Sequence, residues 1–106
     1  SLRADYNKAH YTKQIRDDQP LPPDLRDKFT EQESSTVADG IESMKKAIDR
    51  RADFDDAMAY LSLLDRQKAD MVSNPSERED LQKQADGLLD QVKQIKQKKA
   101  AAQTSS

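Results

Sequence analysis

Residues 74–99 read NPSEREDLQKQADGLLDQVKQIKQKK. Within that stretch Leu81, Ala85, Leu88, Val92 and Ile95 follow a 4-3-4-3 spacing, which sets their side chains on one stripe of an α-helix. The start is punctuated as a helix start should be. Asn74 can cap, Pro75 suits the first helical position, and Glu77 can reach back to the cap. Lys93, Lys96, Lys98 and Lys99 stand at the far end, where positive charge complements the helix dipole. The pattern predicts a helix over 75–98.

Upstream, Phe54, Ala57, Met58, Leu61, Leu64, Met71 and Val72 form a second stripe and predict a helix over 55–73. Tyr60 and Leu63 fall beside that stripe, not on it. A third stripe, Val37, Ile41, Met44 and Ile48, reaches back to Leu25 and Phe29 and predicts a helix over 23–50, with Glu42 and Lys46 adding an i,i+4 pair. Ser34, Ser35 and Thr36 are weak helix formers and mark a place for a kink. Gln19-Pro20-Leu21-Pro22-Pro23 must be non-helical. The remaining helix, over 7–17, has the poorest stripe, with Ala9, Tyr11 and Ile15 and with Tyr6 at its entrance. Strand signals are nearly absent. The chain therefore reads as all-α, with four helices in two antiparallel hairpins.

Composition narrows the function classes. The chain has 106 residues, one modest domain, with 36% charged residues and a formal net charge of −2. Leu, Ile, Val and Phe together number only 18, so the core must be thin and its residues efficiently placed. With no Cys there is no disulfide framework, thiolate nucleophile or Cys-based zinc site. A single His excludes a His-rich metal site, and two glycines are too few for a phosphate-cradling loop. The longest nearly apolar run, Ala57 to Leu64, is too short to span a bilayer, so no membrane insertion is expected. No charged-then-apolar targeting segment follows Ser1, and residues 100–106 are small and polar like a flexible tail or linker. The reading is one of an excerpt from a longer protein.

Self-comparison adds a repeat. Arg3-Ala4-Asp5-Tyr6-x-x-Ala9 recurs as Arg51-Ala52-Asp53-Phe54-x-x-Ala57, and Ala38-Asp39-Gly40-Ile41 recurs as Ala85-Asp86-Gly87-Leu88. Both echoes keep the same order and nearly the same offset. They divide residues 1–99 into two helix–turn–helix units, 3–50 and 51–98.

The junction from Ala47 to Leu61 resembles the boundary between two tetratricopeptide repeats. Gly40, Met44 and Ala47 match the small, large and small positions of that family's second helix, and Ala57, Met58 and Leu61 match its first-helix positions. Small residues there let helices approach closely. The departures are Ser62 for the usual Gly, Asp65 for the Tyr, Ala52 for the turn Pro, and a unit about 14 residues longer than the typical 34. In the first copy Lys13 and Gln14 stand where a Leu and a small residue are usual. The resemblance implies an α-solenoid fragment of divergent repeats.

It also implies a site. First helices of the family line a concave groove that binds extended peptides or partner helices. Matching places Asp56, Ala59, Tyr60, Leu63, Arg66 and Gln67 there in the second copy, and Lys8, Tyr11, Ile15 and Asp18 in the first. Tyr60 and Leu63 lie off the core stripe, so their exposure calls for a partner, either in the groove or in a neighbouring repeat. Other readings carry less. His10 lacks a partner that would make it a base. Asp17, Asp18, Asp53, Asp55 and Asp56 lack the spacing and Gly of a Ca²⁺ loop, and Asp55 and Asp56 charge a helix start. The C-terminal lysines belong to a chain with a sequence pI near 5.4 and acids scattered along it, which argues for a solvated helix end and against nucleic acid. No cofactor is implied, and no nucleophile, base and orienting group can be assembled for an enzyme. The expected function is a protein-interaction scaffold or adaptor that holds a peptide or partner domain. The alternative is a structural helical module that self-associates through its uncapped repeat ends or spaces domains.

Overall fold

A computed structural model of the chain describes residues 2–10, 14–16 and 19–104. It is built of helices: α1 (Leu2–Ala9), α2 (Pro23–Arg50), α3 (Asp55–Ala69) and α4 (Pro75–Thr104). No strand occurs among the described residues. The long helices have 28 and 30 residues, about 42–45 Å each, which accounts for overall extents of 54 × 28 × 23 Å. α3 packs most extensively on α4 and also on α2, so the shortest of the three main helices is the one they share.

The helix boundaries follow local chemistry. Pro22 and Pro23 start α2, with the Arg26 N–H donating to the Pro22 carbonyl at 2.9 Å. Ser34, Ser35 and Thr36 are exposed and leave the helix unbroken, because Val37 next to them is anchored in the core. Arg51 ends α2 in an extended conformation and ties the turn together: it pairs with Asp53 at 3.1 Å and its guanidinium lies 5.1 Å from the centre of the Phe54 ring. Asn74 caps α4 as expected, its side-chain oxygen accepting from the N–H groups of Ser76 and Glu77 at 2.9 and 3.2 Å.

The core lies where α3 meets its two neighbours. Ala57, Met58, Leu61, Leu64 and Ala69 of α3 are buried with Val37 of α2 and with Leu81, Ala85 and Val92 of α4. Small residues set the spacing. A Cβ added at Gly40 would stand 2.9 Å from Leu64 Cδ1, so α2 approaches α3 more closely there than an alanine would allow without a shift. On the other side Ala85 is 0% exposed, and the buried Ser62 hydroxyl donates to its carbonyl at 2.8 Å. The two copies of the echo occupy different settings. A Cβ at Gly40 would meet Leu64 and one at Gly87 would meet nothing within 4 Å, while Ala38 is exposed and Ala85 buried.

Three boundaries differ from the sequence expectation. α3 ends at Ala69, and Asp70 and Met71 form a turn that brings the chain to the Asn74 cap. α4 runs on to Thr104, since Ala100, Ala101 and Ala102, read as tail, are strong helix formers. The largest correction is at the N-terminus, where the helix is α1 at Leu2–Ala9 instead of 7–17. Gln14, Ile15 and Arg16 are not helical. The reason is Asn7, whose side chain bonds both backbone groups of Ile15, accepting from its N–H at 2.6 Å and donating to its carbonyl at 2.8 Å. That contact folds the chain back after α1 and buries Ile15. The first of the two expected hairpins is accordingly an arm laid on the ends of α2 and α3, and the second hairpin is α3–α4.

Candidate interaction surface

α3 spends one arc of its circumference on the core and leaves the other free. Tyr60 and Leu63, expected off the core stripe, are each 50% exposed. Asp56 and Arg66 on the same arc are exposed, and Ala59 and Gln67 are half-buried. The lower half of this arc borders a cleft of about 500 Å³ between α3, the start of α2 and the N-terminal arm. Leu2, Leu21, Phe29 and Leu63 give it apolar walls, and Glu33, Arg66 and Gln67 reach its rim.

A half-buried ion pair closes one end. The arm is held there by Arg3, whose guanidinium contacts Asp70 at 3.2 Å and donates to the carbonyls of Arg16 and Gln19. Burial pushes the Asp70 carboxyl above its ordinary pKa, with Arg3 and Arg78 pulling the other way. Arg3 Nη1 is buried with no hydrogen-bond partner among the described residues. On the opposite flank of α3, Arg66 pairs with Asp86 of α4 at 2.6 Å and rails in the outer arc.

The structure brings together some of the sequence-derived site residues and separates others. Leu63, Arg66 and Gln67 line the cleft; Tyr60, Ala59 and Asp56 continue the same arc beyond it. Lys8 is exposed on α1, away from α3, beside Asp5 and Gln14. Ile15 is corrected: it is buried by the Asn7 turn and cannot line a groove. Tyr11 and Asp18 lie outside the described residues. The cleft walls Leu2, Leu21 and Phe29 were not anticipated. The one available signal was Leu21, a lone large apolar residue locked between Pro20 and Pro22 and found buried against the helices.

Other candidate chemistry is accounted for by packing. His10 is exposed, stacked on Tyr6 with ring centres 4.0 Å apart, and donates from Nδ1 to the Tyr6 carbonyl at 2.9 Å. Asp55 is tied to Lys99 at 3.0 Å, and that bond holds its carboxyl below the ordinary range. Among the described residues no group of three or more His, Asp or Glu is placed to hold a metal ion, and no helix is long and apolar enough to cross a membrane. No family model matches the chain, and no curated protein or solved structure was found to match it.

Proposed function

We propose that the chain is a protein–protein interaction module, a scaffold or adaptor that performs no chemistry itself and receives a peptide or partner domain on the outer arc of α3 and in the cleft beside it. The observation that carries this reading is Leu63, half exposed on a helix whose opposite side supplies the core, at the mouth of a cleft with apolar walls and a charged rim. Exposed aromatic and aliphatic side chains beside an arginine are the residue types that anchor interfaces. The rim carries Glu33 as well as Arg66, which suits a partner with mixed apolar and polar contacts. The resemblance of residues 38–64 to tetratricopeptide repeats supports the same reading, since by that resemblance α3 would correspond to a first helix, the one that lines the family's groove.

The test is capture of binding proteins on the immobilised chain, followed by comparison of Tyr60→Ala and Leu63→Glu with Gln84→Ala on the far side of α4. Loss of capture for the two α3 variants alone, at unchanged helicity and melting temperature, is the expected result. Equal capture by all three overturns the reading.

A further inference from the structure

Among the described residues the exposed large hydrophobics are Tyr60, Leu63 and Leu89, the last 42% exposed. The register of the α3–α4 hairpin places them on one face. The two helices are antiparallel and tied at Ser62–Ala85, at Arg66–Asp86 and at Asp55–Lys99. One turn back from Arg66 along α3 is Leu63, and one turn on from Asp86 along α4 is Leu89. Because the helices run oppositely, both steps lead the same way, so Leu63 and Leu89 stand side by side on the turn next to the Arg66–Asp86 pair. Tyr60 and Ala59 come next along α3. Beyond them exposed Asp56 stands level with exposed Lys93 and Lys96 of α4.

From this face we infer that the chain pairs with a second copy of itself, α3 of each copy lying on α4 of the other. The inference rests on the reading of the outer arc of α3 as an interaction surface and names one partner for it. A two-fold axis parallel to the hairpin exchanges α3 and α4 without changing their level. It sets Leu63 against Leu89 of the second copy, Asp56 against Lys93 and Lys96, and Arg66 against Asp86. Every contact is apolar on apolar or acid on base, and each occurs twice. The long helix is graded in charge: up to Gln91 it carries the acids Glu77, Glu79, Asp80, Asp86 and Asp90 with the bases Arg78 and Lys83 among them, and beyond it Lys93, Lys96, Lys98 and Lys99 with no acid. α3 runs the same way, from Asp55 and Asp56 to Arg66 and Lys68. Two parallel copies of α3 would set like charges together, whereas α3 on α4 sets Asp56 against Lys93 and Lys96, and Arg66 against Asp86. The face is about 22 Å long and two helices wide, a small patch that suits weak, concentration-dependent pairing.

Sedimentation equilibrium over a loading range reaching about 300 µM reads this directly. The expected result is a mass rising from 12.0 kDa toward twice that value. Leu89→Glu should weaken the pairing by at least about tenfold, since it sets a carboxylate on Leu63 of the other copy, while circular dichroism confirms unchanged helicity. Asp56→Lys should weaken it too, and adding Lys93→Glu and Lys96→Glu to that variant should restore it. A chain that stays at 12.0 kDa throughout, or a dimer indifferent to Leu89→Glu, overturns the inference. If a monomeric chain still loses a captured protein on Tyr60→Ala, only the self-pairing falls and the wider interaction reading stands.

Discussion

Leu61 and Leu63 are the same residue type two positions apart on α3, and they should respond very differently to the same truncation. Leu61 is 5% exposed in the core; Leu63 is 50% exposed on the outer arc. Leu61→Ala removes a buried isobutyl group from the core, so both a transfer and a cavity penalty apply. The expected cost is about 2–4 kcal/mol, with about 3 as the central value. Leu63→Ala forfeits only half of a leucine's burial and opens no closed cavity, for a cost of about 1 kcal/mol or less. A chain of this length has a total stability of roughly 5–15 kcal/mol, so the first substitution consumes a large share of it. Urea unfolding followed by circular dichroism resolves the pair. With a slope of about 1.5 kcal/mol per molar, Leu61→Ala should lower the midpoint by about 2 M and Leu63→Ala by well under 1 M. Equal midpoint shifts would refute the assignment of the two faces of α3, and with it the surface argument built on that assignment.

Two further outcomes follow from single contacts. Asn74→Ala leaves the N–H groups of Ser76 and Glu77 without their acceptor and should cost about 1 kcal/mol in the same urea melts, with Ser76→Ala as the near-neutral comparison. Asp65 is buried one turn beyond Leu61, and burial raises its carboxyl above the ordinary value of 3.8 despite Lys45 and Lys68. A carboxyl raised in the folded state binds its proton more tightly there than in the unfolded chain, so its favourable contribution is full below the unfolded value and is lost as pH rises through the folded one. Asp65→Asn should therefore be more stable than the parent at pH 7, with the difference closing as the pH falls toward 4; a difference that widens on acidification would contradict the burial argument.

How far the sequence foretold this structure varied with how strongly each segment was patterned. The 4-3-4-3 stripe and the Asn74-Pro75 start located α4 to the residue at its N-terminus, and the Pro22-Pro23 pair did the same for α2. Both signals are local, acting within one turn of the positions they decide. The exposed arc of α3 was legible for the same reason, since Tyr60 and Leu63 are off-stripe by simple helical geometry. The N-terminal arm was not legible. Its shape depends on the Asn7 side chain meeting the Ile15 backbone and on Arg3 reaching Asp70, 67 positions away. Neither contact leaves a periodic trace. The cleft depended on the same missing knowledge, because Leu2 and Leu21 become its walls only once the arm is in place. The repeat echo, conversely, suggested equivalence where the structure shows difference. A Cβ at Gly40 would press on the Leu64 side chain and make it shift, while one at Gly87 would face open space, although both glycines sit in the same Ala-Asp-Gly motif.

The placement of α3 joins stability to binding. A helix shared by two neighbours must be apolar over a wide arc, and Ala57, Met58, Leu61, Leu64 and Ala69 meet that need. Nothing in that need calls for Tyr60 or Leu63. Polar residues in their place would cost the core little and would spare the chain an exposed apolar pair, which a thin-cored, highly charged molecule has reason to avoid. Arg66 points the same way, since its pairing with Asp86 spans two exposed side chains and so adds little to stability. What the three residues do share is a face and a register with Leu89. The residues that hold α3 in place and the residues it displays are thus separate sets on one 15-residue helix. Substitutions on the displayed arc can accordingly be made without unfolding the chain, so a change in association there reports on the surface and not on the fold.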